Sequence, residues 1–226
     1  MFLLVIAGYE TTAISLTWAL IELARNPEAQ QKLREELLQL SDGDASWDQI
    51  TSSLPYLDAV TCEILRLHPP AVDIVRQAHE DDVIPLSKPI HDLEGQLVDN
   101  IFIAKGTTIS VPIMCLNRSE VMWGREPKEF NPNRWLNDSV YKERAAEIQG
   151  YRHLLTFIDG PRTCLGKGFA LTEFKAVLSV LVRNFSFALP DGPGTKIERH
   201  EGILPRPKVA GQDGAKVPMV VRHIDR

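Results

Sequence analysis

The stretch FIDGPRTCLG, residues 157–166, is the most informative part of this 226-residue chain. It places Cys164 in a glycine-containing loop, directly before a segment with helical periodicity at residues 168–184. The partial positive charge and free N–H groups of a helix N-terminus stabilise a thiolate and lower the pKa of its thiol. Gly160 and Gly166 allow the backbone to turn tightly and a flat molecule to come close. The loop therefore indicates a cysteine with a chemical role.

This loop has two other interpretations. A lone cysteine is most often an inert, buried side chain. A phosphate-binding loop needs four residues between its glycines, followed by Lys and Ser or Thr. Here five residues separate Gly160 from Gly166, and Gly168 stands where Ser or Thr belongs. The sequence therefore does not fit a phosphate-binding loop. Cys62 and Cys115 form no CxxC pair, and neither a disulfide scaffold nor a zinc site is indicated.

The loop resembles the heme-binding signature of the cytochrome P450 family, FxxGxRxCxG. The match covers every fixed position: Phe157, Gly160, Arg162, Cys164 and Gly166. The resemblance implies heme b (iron protoporphyrin IX) as cofactor, with Cys164 as the axial ligand of the iron and Arg162 as the partner of a propionate. A thiolate ligand pushes electron density onto the iron and favours O–O cleavage. Phe157 would shield the sulfur.

A second motif is the charged pair in Glu63-Ile-Leu-Arg66, within an otherwise apolar segment. The i,i+3 spacing puts both charges on one helix face, where they can pair. Such pairs are usually weak surface salt bridges, but charges among apolar neighbours tend to be buried and paired. The P450 family has this ExxR pair, joined by an arginine from a downstream FxPxR segment, here FNPNR at residues 130–134. The resemblance implies that Glu63, Arg66 and Arg134 hold the cysteine loop in place.

The first twenty residues, MFLLVIAGYETTAISLTWAL, form an apolar stretch with polar interruptions. A membrane span would bury the carboxylate of Glu10 at high cost, and no basic region marks a signal peptide. We expect a buried core helix with a functional polar patch, and no membrane anchor in this chain. Because the chain starts inside a core element, we also expect an N-terminal portion to be missing.

The segment AGYETT, residues 7–12, resembles the oxygen-activating helix of the P450 family. The resemblance implies that Glu10 and Thr11 form an acid–alcohol pair that relays protons during catalysis. Gly8 would let the helix open beside the iron. Arg76 follows the break at residues 69–70 and resembles, by its placement, the second propionate-binding arginine of the family. The alternative for Arg76 is an exposed arginine on an edge strand.

Periodicity and turn residues predict a mainly helical chain with a small β portion, the C-terminal part of the cytochrome P450 fold. Asn26 should cap a helix that has Pro27 at its first position, and Ser46 with Gln49 resembles a capping box. Residues 1–226 should form one partial cytochrome P450 domain. The predicted helices are 1–25, 28–40, 53–67 and 168–184, with a turn at 41–45. The predicted strands are 72–78, a hairpin of 101–103 with 107–111, and a late pair of 185–189 with 217–223. Residues 131–137 are predicted to be irregular.

Composition is ordinary for a globular domain, with 44% hydrophobic and 24% charged residues and a formal net charge of −5. This balance lacks the basic footprint of nucleic-acid binding, so we expect no nucleic-acid partner. The resemblance implies a heme-thiolate monooxygenase that inserts one atom of O₂ into a small hydrophobic organic substrate. Its electrons would come from an NADPH-dependent P450 reductase.

Two alternatives to the monooxygenase remain. One is a P450-fold isomerase or dehydratase, although such relatives often lose the acid–alcohol pair that Glu10 and Thr11 supply here. The other is an inactive or merely heme-binding fragment, because complete family members are about twice as long. The segments at 84–86 and 95–106 look similar to fungal microsomal members. For the full-length relative this suggests the cytosolic face of the endoplasmic reticulum membrane.

Overall fold

The computed structural model describes residues 2–40, 45–136 and 145–224, with side chains from residue 7 onward. Its backbone divides into two compact units, Met1–Val72 with Ile113–Arg226, and Asp73–Pro112. Residues 41–44 of the predicted turn at 41–45 lie outside the described residues, as does residue 137 of the predicted irregular segment. No helix within the described ranges is both long enough and apolar enough to cross a membrane.

The first unit is helical. Among the described residues, its α-helices include α1 (Phe2–Arg25), α2 (Pro27–Leu38), α3 (Pro55–Leu67), α4 (Ile113–Asn117), α5 (Glu120–Trp123) and α6 (Lys167–Asn184). A π-helical turn covers Gln49–Ser53, and short 3₁₀ turns cover Pro132–Trp135, Tyr151–His153 and Gly160–Arg162. The four long helices lie where the sequence predicts them, because each carries apolar residues at helical spacing between proline or polar boundaries.

The core of this unit lies where α1, α2, α3 and α6 meet. Trp18 of α1, Leu33 of α2, Leu57 of α3 and Leu178 of α6 are all buried in one apolar cluster. Full burial of each such side chain contributes about 1.5–3 kcal/mol. The cluster fixes α1 and α6 relative to each other, and both helices contribute residues to the candidate site described below.

The junction between α1 and α2 departs from the predicted cap. Pro27 occupies the first turn of α2 as expected, but the side chain of Asn26 makes no capping hydrogen bond there. Asn26 Nδ2 instead donates to the Glu22 carbonyl at 2.8 Å, so Asn26 caps the end of α1. The prediction was wrong because the unsatisfied carbonyls of the preceding helix compete for the same amide. The capping box is confirmed, with Ser46 N donating to Gln49 Oε1 at 2.9 Å and Gln49 N to Ser46 Oγ at 3.4 Å.

Two small antiparallel ladders complete the first unit. Strand β5 (Phe185–Ala188) pairs with β8 (Val220–His223), which confirms the late strand pair predicted from sequence. Strand β6 (Ile197–His200) pairs with β7 (Arg206–Val209), a pairing that the sequence did not predict. Their four-residue length and mixed polarity leave too little alternation to recognise.

The second unit holds two antiparallel ladders. Strand β1 (Ile74–Gln77) pairs with β4 (Thr108–Val111), and β2 (Asp82–His91) pairs with β3 (Leu97–Ile103). The predicted hairpin between residues 101–103 and 107–111 is therefore wrong. Gly106 adopts φ +87°, and its N–H donates to the Ala78 carbonyl at 2.8 Å while Ala78 N donates to Thr107 O at 2.9 Å. This turn returns the chain to β1 instead of folding β4 back on β3.

Candidate active site

A cavity in the first unit brings together several of the residues predicted from sequence. Thr11 lies on α1, and Phe157 and Cys164 both lie in the cysteine loop, residues 157–166. The lining consists of Thr11, Thr12, Ser15, Leu65, Pro70, Ala71, Thr156, Phe157, Cys164, Ala170, Leu171 and Phe174. The wall is thus mainly apolar, with hydroxyl groups concentrated on α1 and the sulfur contributed by the segment before α6.

The cysteine loop is held by its own backbone. Cys164 N donates to the Phe157 carbonyl at 2.9 Å, and Thr163 donates to the Gly160 carbonyl through both its N–H at 3.1 Å and its hydroxyl at 2.8 Å. Cys164 comes just before α6, which begins at Lys167. Cys164 is exposed and lines the cavity, close to the N-terminus of α6.

The three cysteines of the chain are all described, and they occupy different environments. Cys62 is buried in α3, where desolvation raises the pKa of its thiol to about 12. Cys115 is exposed on α4 but does not line the cavity. Of these three, only Cys164 contributes to the cavity wall, which distinguishes it from Cys62 and Cys115.

The two glycines of the loop have different reasons to be glycine. Gly160 adopts φ +71°, a conformation that other residues rarely take. Gly166 has an ordinary φ of −85°, and a Cβ placed there would meet no atom within 4 Å. The fold alone therefore does not require glycine at 166, whereas a flat group approaching the loop would. Ile158, a β-branched residue, also has a positive φ of 59°, which is unusual outside functional sites.

The two candidate propionate-binding arginines lie in different units. Arg162 is exposed in the cysteine loop, and within the described part of the chain its guanidinium takes part in no ion pair or side-chain hydrogen bond. This leaves a free cation close in sequence to Cys164. Arg76 is exposed on β1 in the second unit, where its Nη1 donates to the Val75 carbonyl at 3.0 Å.

The ExxR pair is a buried, bidentate ion pair. Arg66 donates from Nε to Glu63 Oε2 at 2.8 Å and from Nη2 to Glu63 Oε1 at 2.9 Å, and both side chains have no exposed area. Nε of Arg134 lies 3.5 Å from Glu63 Oε1, so the arginine of the FNPNR segment joins the pair. Fork-to-fork geometry of this kind is among the strongest polar contacts in proteins.

Glu63 accepts two further hydrogen bonds that were not predicted from the sequence. Asn131 N donates to Glu63 Oε1 at 2.9 Å, and Trp135 Nε1 donates to Oε2 at 2.8 Å. Both donors belong to the segment that contains Arg134, so Glu63 fixes the whole turn and not only one side chain. The FxPxR motif identifies the charged partner Arg134, but it does not predict that a backbone N–H and an indole also donate to Glu63.

The ion pair is linked to the cysteine loop through Asn117, another residue that sequence reasoning missed. Arg66 Nη1 donates to the Asn117 carbonyl at 3.1 Å. The buried Asn117 side chain donates to Thr156 Oγ1 at 2.9 Å and accepts from Leu155 N at 3.2 Å. Thr156 in turn donates to the Leu65 carbonyl of α3 at 2.7 Å. Because Phe157 follows directly, α3 determines where the cysteine loop starts.

The acid–alcohol pair on α1 is divided between two surroundings. Thr11 lines the cavity, and its hydroxyl donates to the Ala7 carbonyl at 2.7 Å. The carboxylate of Glu10 is absent from the cavity wall and lies 2.6 Å from Nη2 of Arg206 on β7. Gly8 does not line the cavity either. The structure thus brings Thr11, but not Glu10, together with Cys164.

The sequence also did not predict a buried polar cluster around His68, at the C-terminus of α3. His68 stacks on Trp18 with ring centroids 4.0 Å apart, and its Nε2 lies 2.8 Å from Glu22 Oε1. Arg199 Nη2 approaches His68 Nδ1 at 3.2 Å, and both Arg199 and Arg118 donate to the Leu67 carbonyl. This cluster connects the C-terminus of α3 to α1. His68 directly precedes the segment that contributes Pro70 and Ala71 to the cavity wall.

The comparison with family models agrees with the fold and the site. The model described as "Cytochrome P450" matches residues 1–211. The chain therefore belongs to the cytochrome P450 family, as the signature in residues 157–166 predicts.

Curated relatives give the same result. Cytochrome P450 monooxygenase claW of Ampulloclitocybe clavipes is 60% identical over 225 residues, covering 100% of this chain and 42% of the relative. Cytochrome P450 monooxygenase claQ of the same organism is 61% identical, with the same two coverages. Cytochrome P450 monooxygenase 128 of Postia placenta is 42% identical over 96% of this chain and 40% of its own length. The chain thus spans less than half the length of the curated relatives it matches.

Proposed function

We propose that this chain forms the cysteine-ligand side of a heme-thiolate monooxygenase, an enzyme that inserts one atom of O₂ into a small hydrophobic organic substrate. The observation that carries the proposal is the cavity in which Cys164, at the start of α6, lies with Thr11 of α1 among apolar residues. The names of the relatives, which are monooxygenases, support this function over an isomerase or a dehydratase.

The residues present fit heme b. Cys164 offers a single soft ligand at a helix N-terminus, Gly166 leaves space for a flat group, and Arg162 is a free cation able to bind a propionate. We assign Arg76 to the second propionate. Phe157, buried beside the loop, would keep water from the sulfur, and Gly160 supplies the turn. Heme, when bound, supplies the centre at which O₂ is activated.

The residues of α1 would handle protons. The hydroxyl proton of Thr11 is engaged with the Ala7 carbonyl, so the lone pairs of Thr11 remain free to accept a hydrogen bond from the cavity. Glu10 is held by Arg206 and can deliver a proton to the cavity only when that exposed ion pair opens. Gly8 allows the helix to widen locally beside this pair.

The remaining elements of the proposal follow from the family. Electrons would come from an NADPH-dependent P450 reductase, and molecular oxygen is the second substrate. For the full-length relative we propose the endoplasmic reticulum membrane, on its cytosolic face. The mainly apolar cavity wall supports a hydrophobic substrate.

A chimera tests the proposal without requiring this chain to act alone. The chain would replace the matching 42% of the relative claW, with which it shares 60% identity. With reductase and NADPH, we expect the chimera to consume oxygen and to form an oxygenated product, and we expect Cys164→Ala to abolish both. Cys115→Ala, at an exposed cysteine away from the cavity, is the matched control. A folded, heme-loaded chimera whose oxygen consumption did not depend on Cys164 would overturn the proposal.

A further inference from the structure

Asp58, near the start of α3, pairs with cations from two other elements. Its Oδ1 accepts from Lys175 Nζ of α6 at 2.7 Å, and its Oδ2 accepts from Arg152 Nη2 at 2.8 Å. Arg152 belongs to the 3₁₀ turn at Tyr151–His153. The two cations therefore lie on either side of Cys164 in the chain, one in the turn before the cysteine loop and one in the helix after it.

The two halves of this contact differ in burial. The Lys175 side chain is only 8% exposed, whereas that of Arg152 is 54% exposed. Within the described part of the chain, Asp58 is the only partner of the Lys175 ammonium. A buried charge needs a partner of opposite charge, so Asp58 allows α6 to pack against α3 with Lys175 inside. The pair with Arg152 is too exposed to contribute much stability, and its effect is on the conformation of the turn.

The turn that Arg152 belongs to has an unusual backbone. Arg152 (φ 54°, ψ 35°) and His153 (φ 64°) are consecutive non-glycine residues in the left-handed region. Residues in this region persist where their surroundings hold them. The turn is also tightly closed, since a Cβ at Gly150 would lie 2.1 Å from the Leu154 carbonyl oxygen. The ion pair with Asp58 is a contact that holds Arg152 in this conformation.

The turn contacts the cysteine loop directly. The ring of Tyr151, next to Arg152, packs edge-on against the ring of Phe157, with centroids 5.9 Å apart. The carbonyl of Phe157 in turn accepts the N–H of Cys164 at 2.9 Å. A shift of the turn would therefore move Phe157 and, through it, the backbone of Cys164.

We propose that Asp58 is a positioning residue for Cys164, because its carboxylate joins the turn before the cysteine loop to the helix after it. This contact is separate from the Glu63 ion pair, which reaches the loop through Asn117. The inference deepens the proposed function and rests on it for the role of Cys164 as an iron ligand.

The test separates positioning from stability by substitutions in the claW chimera. Asp58→Asn keeps the shape of the side chain but leaves the buried Lys175 cation without its anion, which lowers the melting temperature. Asp58→Asn combined with Lys175→Met removes that cation as well. The melting temperature of this double variant should recover toward the wild-type value, although Arg152 is still not held. Asp58→Glu keeps the charge and is the conservative rescue.

Glu36→Gln is the matched control. The Glu36 carboxylate accepts from Tyr56 N at 2.7 Å and from Leu57 N at 2.8 Å, so it also secures the start of α3. Its hydrogen bonds go to α3 and not to the turn or the cysteine loop. A purely structural role for Asp58 would make the two carboxylates equivalent.

Two quantities are measured for each variant. The first, before heme is added, is the rate of trypsin cleavage after Arg152, because trypsin binds this side chain only when Asp58 releases it. The second is the reduced carbon-monoxide spectrum after heme loading, expressed as the ratio of the red-shifted band to the unshifted band. In Asp58→Asn and in the double variant, cleavage should be about two- to five-fold faster and the band ratio about two- to five-fold lower. Asp58→Glu and Glu36→Gln should match the wild type.

A wild-type value of either quantity in the double variant would overturn the proposal, since Asp58 would then only neutralise Lys175. An equal fall of the band ratio in Glu36→Gln would overturn it too. If Cys164→Ala gives the same spectrum as the wild type, the proposed function fails, and the cleavage rate still decides whether Asp58 holds the turn. The two failures are thus distinguishable.

Discussion

Asn117 is the residue through which the buried ion pair reaches the cysteine loop. Its side chain bonds Thr156 and Leu155, and its carbonyl accepts from Arg66. We expect Asn117→Ala to reduce the free energy of unfolding by about 2–4 kcal/mol, because it leaves buried polar groups without partners. Chemical denaturation measures this loss.

Asn133 provides the control for that substitution. It is exposed and accepts a hydrogen bond from Lys32 at 2.8 Å, so Asn133→Ala should change the free energy of unfolding by less than about 1 kcal/mol. Equal losses for the two variants would contradict the linking role of Asn117.

At the level of single residues, the sequence predicts the chemical groups better than their partners. Cys164, Glu63 and Arg66 were found because spaced identities mark them. Asn117 and Trp135 were not, since their contacts join segments far apart in the chain and involve backbone groups that no motif encodes. Glu10 was assigned to the same site as Thr11 because the two residues are adjacent in the motif. Adjacent helical residues point about 100° apart, and the carboxylate of Glu10 contacts Arg206 instead.

Helix α3 and the 3₁₀ turn at Pro132–Trp135 are joined by Glu63. Because Glu63→Gln leaves buried Arg66 and Arg134 without their anion, the free energy of unfolding should fall by about 3–5 kcal/mol. Equilibrium denaturation in urea measures the change.

The matched control is the exposed pair of Glu198 and Lys208, whose charged atoms lie 3.0 Å apart. Glu198→Gln should cost about 0.2–1 kcal/mol. If Glu63→Gln cost no more than Glu198→Gln, the ion pair could not be what holds the two elements together.

The junction between α1 and α3 predicts a pH dependence. Burial lowers the pKa of His68 to about 4, although its hydrogen bond to Glu22 opposes the shift. The unfolded chain binds a proton on this histidine below about pH 6.5, whereas the folded chain does so only near pH 4. The free energy of unfolding should therefore fall as the pH drops from 6.5 to 4, by on the order of 3 kcal/mol.

The histidine contribution can be isolated by substitution. His68→Gln should flatten the slope of stability against pH across this window, whereas His79→Gln, at an exposed position, should leave it unchanged. A slope that persisted in His68→Gln would assign the pH dependence to other groups.

At the level of elements, the long helices could be predicted and the strand pairings only in part. Helices α1, α2, α3 and α6 are encoded locally by periodicity and by Pro27 and Pro55. Strand partners depend on contacts between distant segments, which is why the strands around Gly106 were paired wrongly and β6 with β7 was overlooked. The pair β5 and β8 was recognised because each segment contains β-forming residues, such as Phe187 and Val221, and a Gly/Pro-rich stretch lies between them.

On the scale of the whole molecule, apolar side chains remain exposed next to the cysteine loop. Leu165 is 91% exposed and Phe169 is 71% exposed. We expect the isolated 226-residue chain to associate and to bind a hydrophobic dye strongly. Leu165→Gln combined with Phe169→Gln should reduce both effects, measured by light scattering and dye fluorescence. A monomeric wild-type chain that melts cooperatively would contradict this expectation.

The central claim is that Cys164 is the thiolate ligand of heme iron. Its most direct test is the reduced carbon-monoxide difference spectrum of the heme-loaded chain and of the claW chimera, each beside Cys164→Ala and Cys115→Ala. We predict the strongly red-shifted band that gives the P450 family its name in the wild type and in Cys115→Ala, and its loss in Cys164→Ala. A band that survived Cys164→Ala, or its absence from a folded and heme-loaded chimera, would contradict the claim.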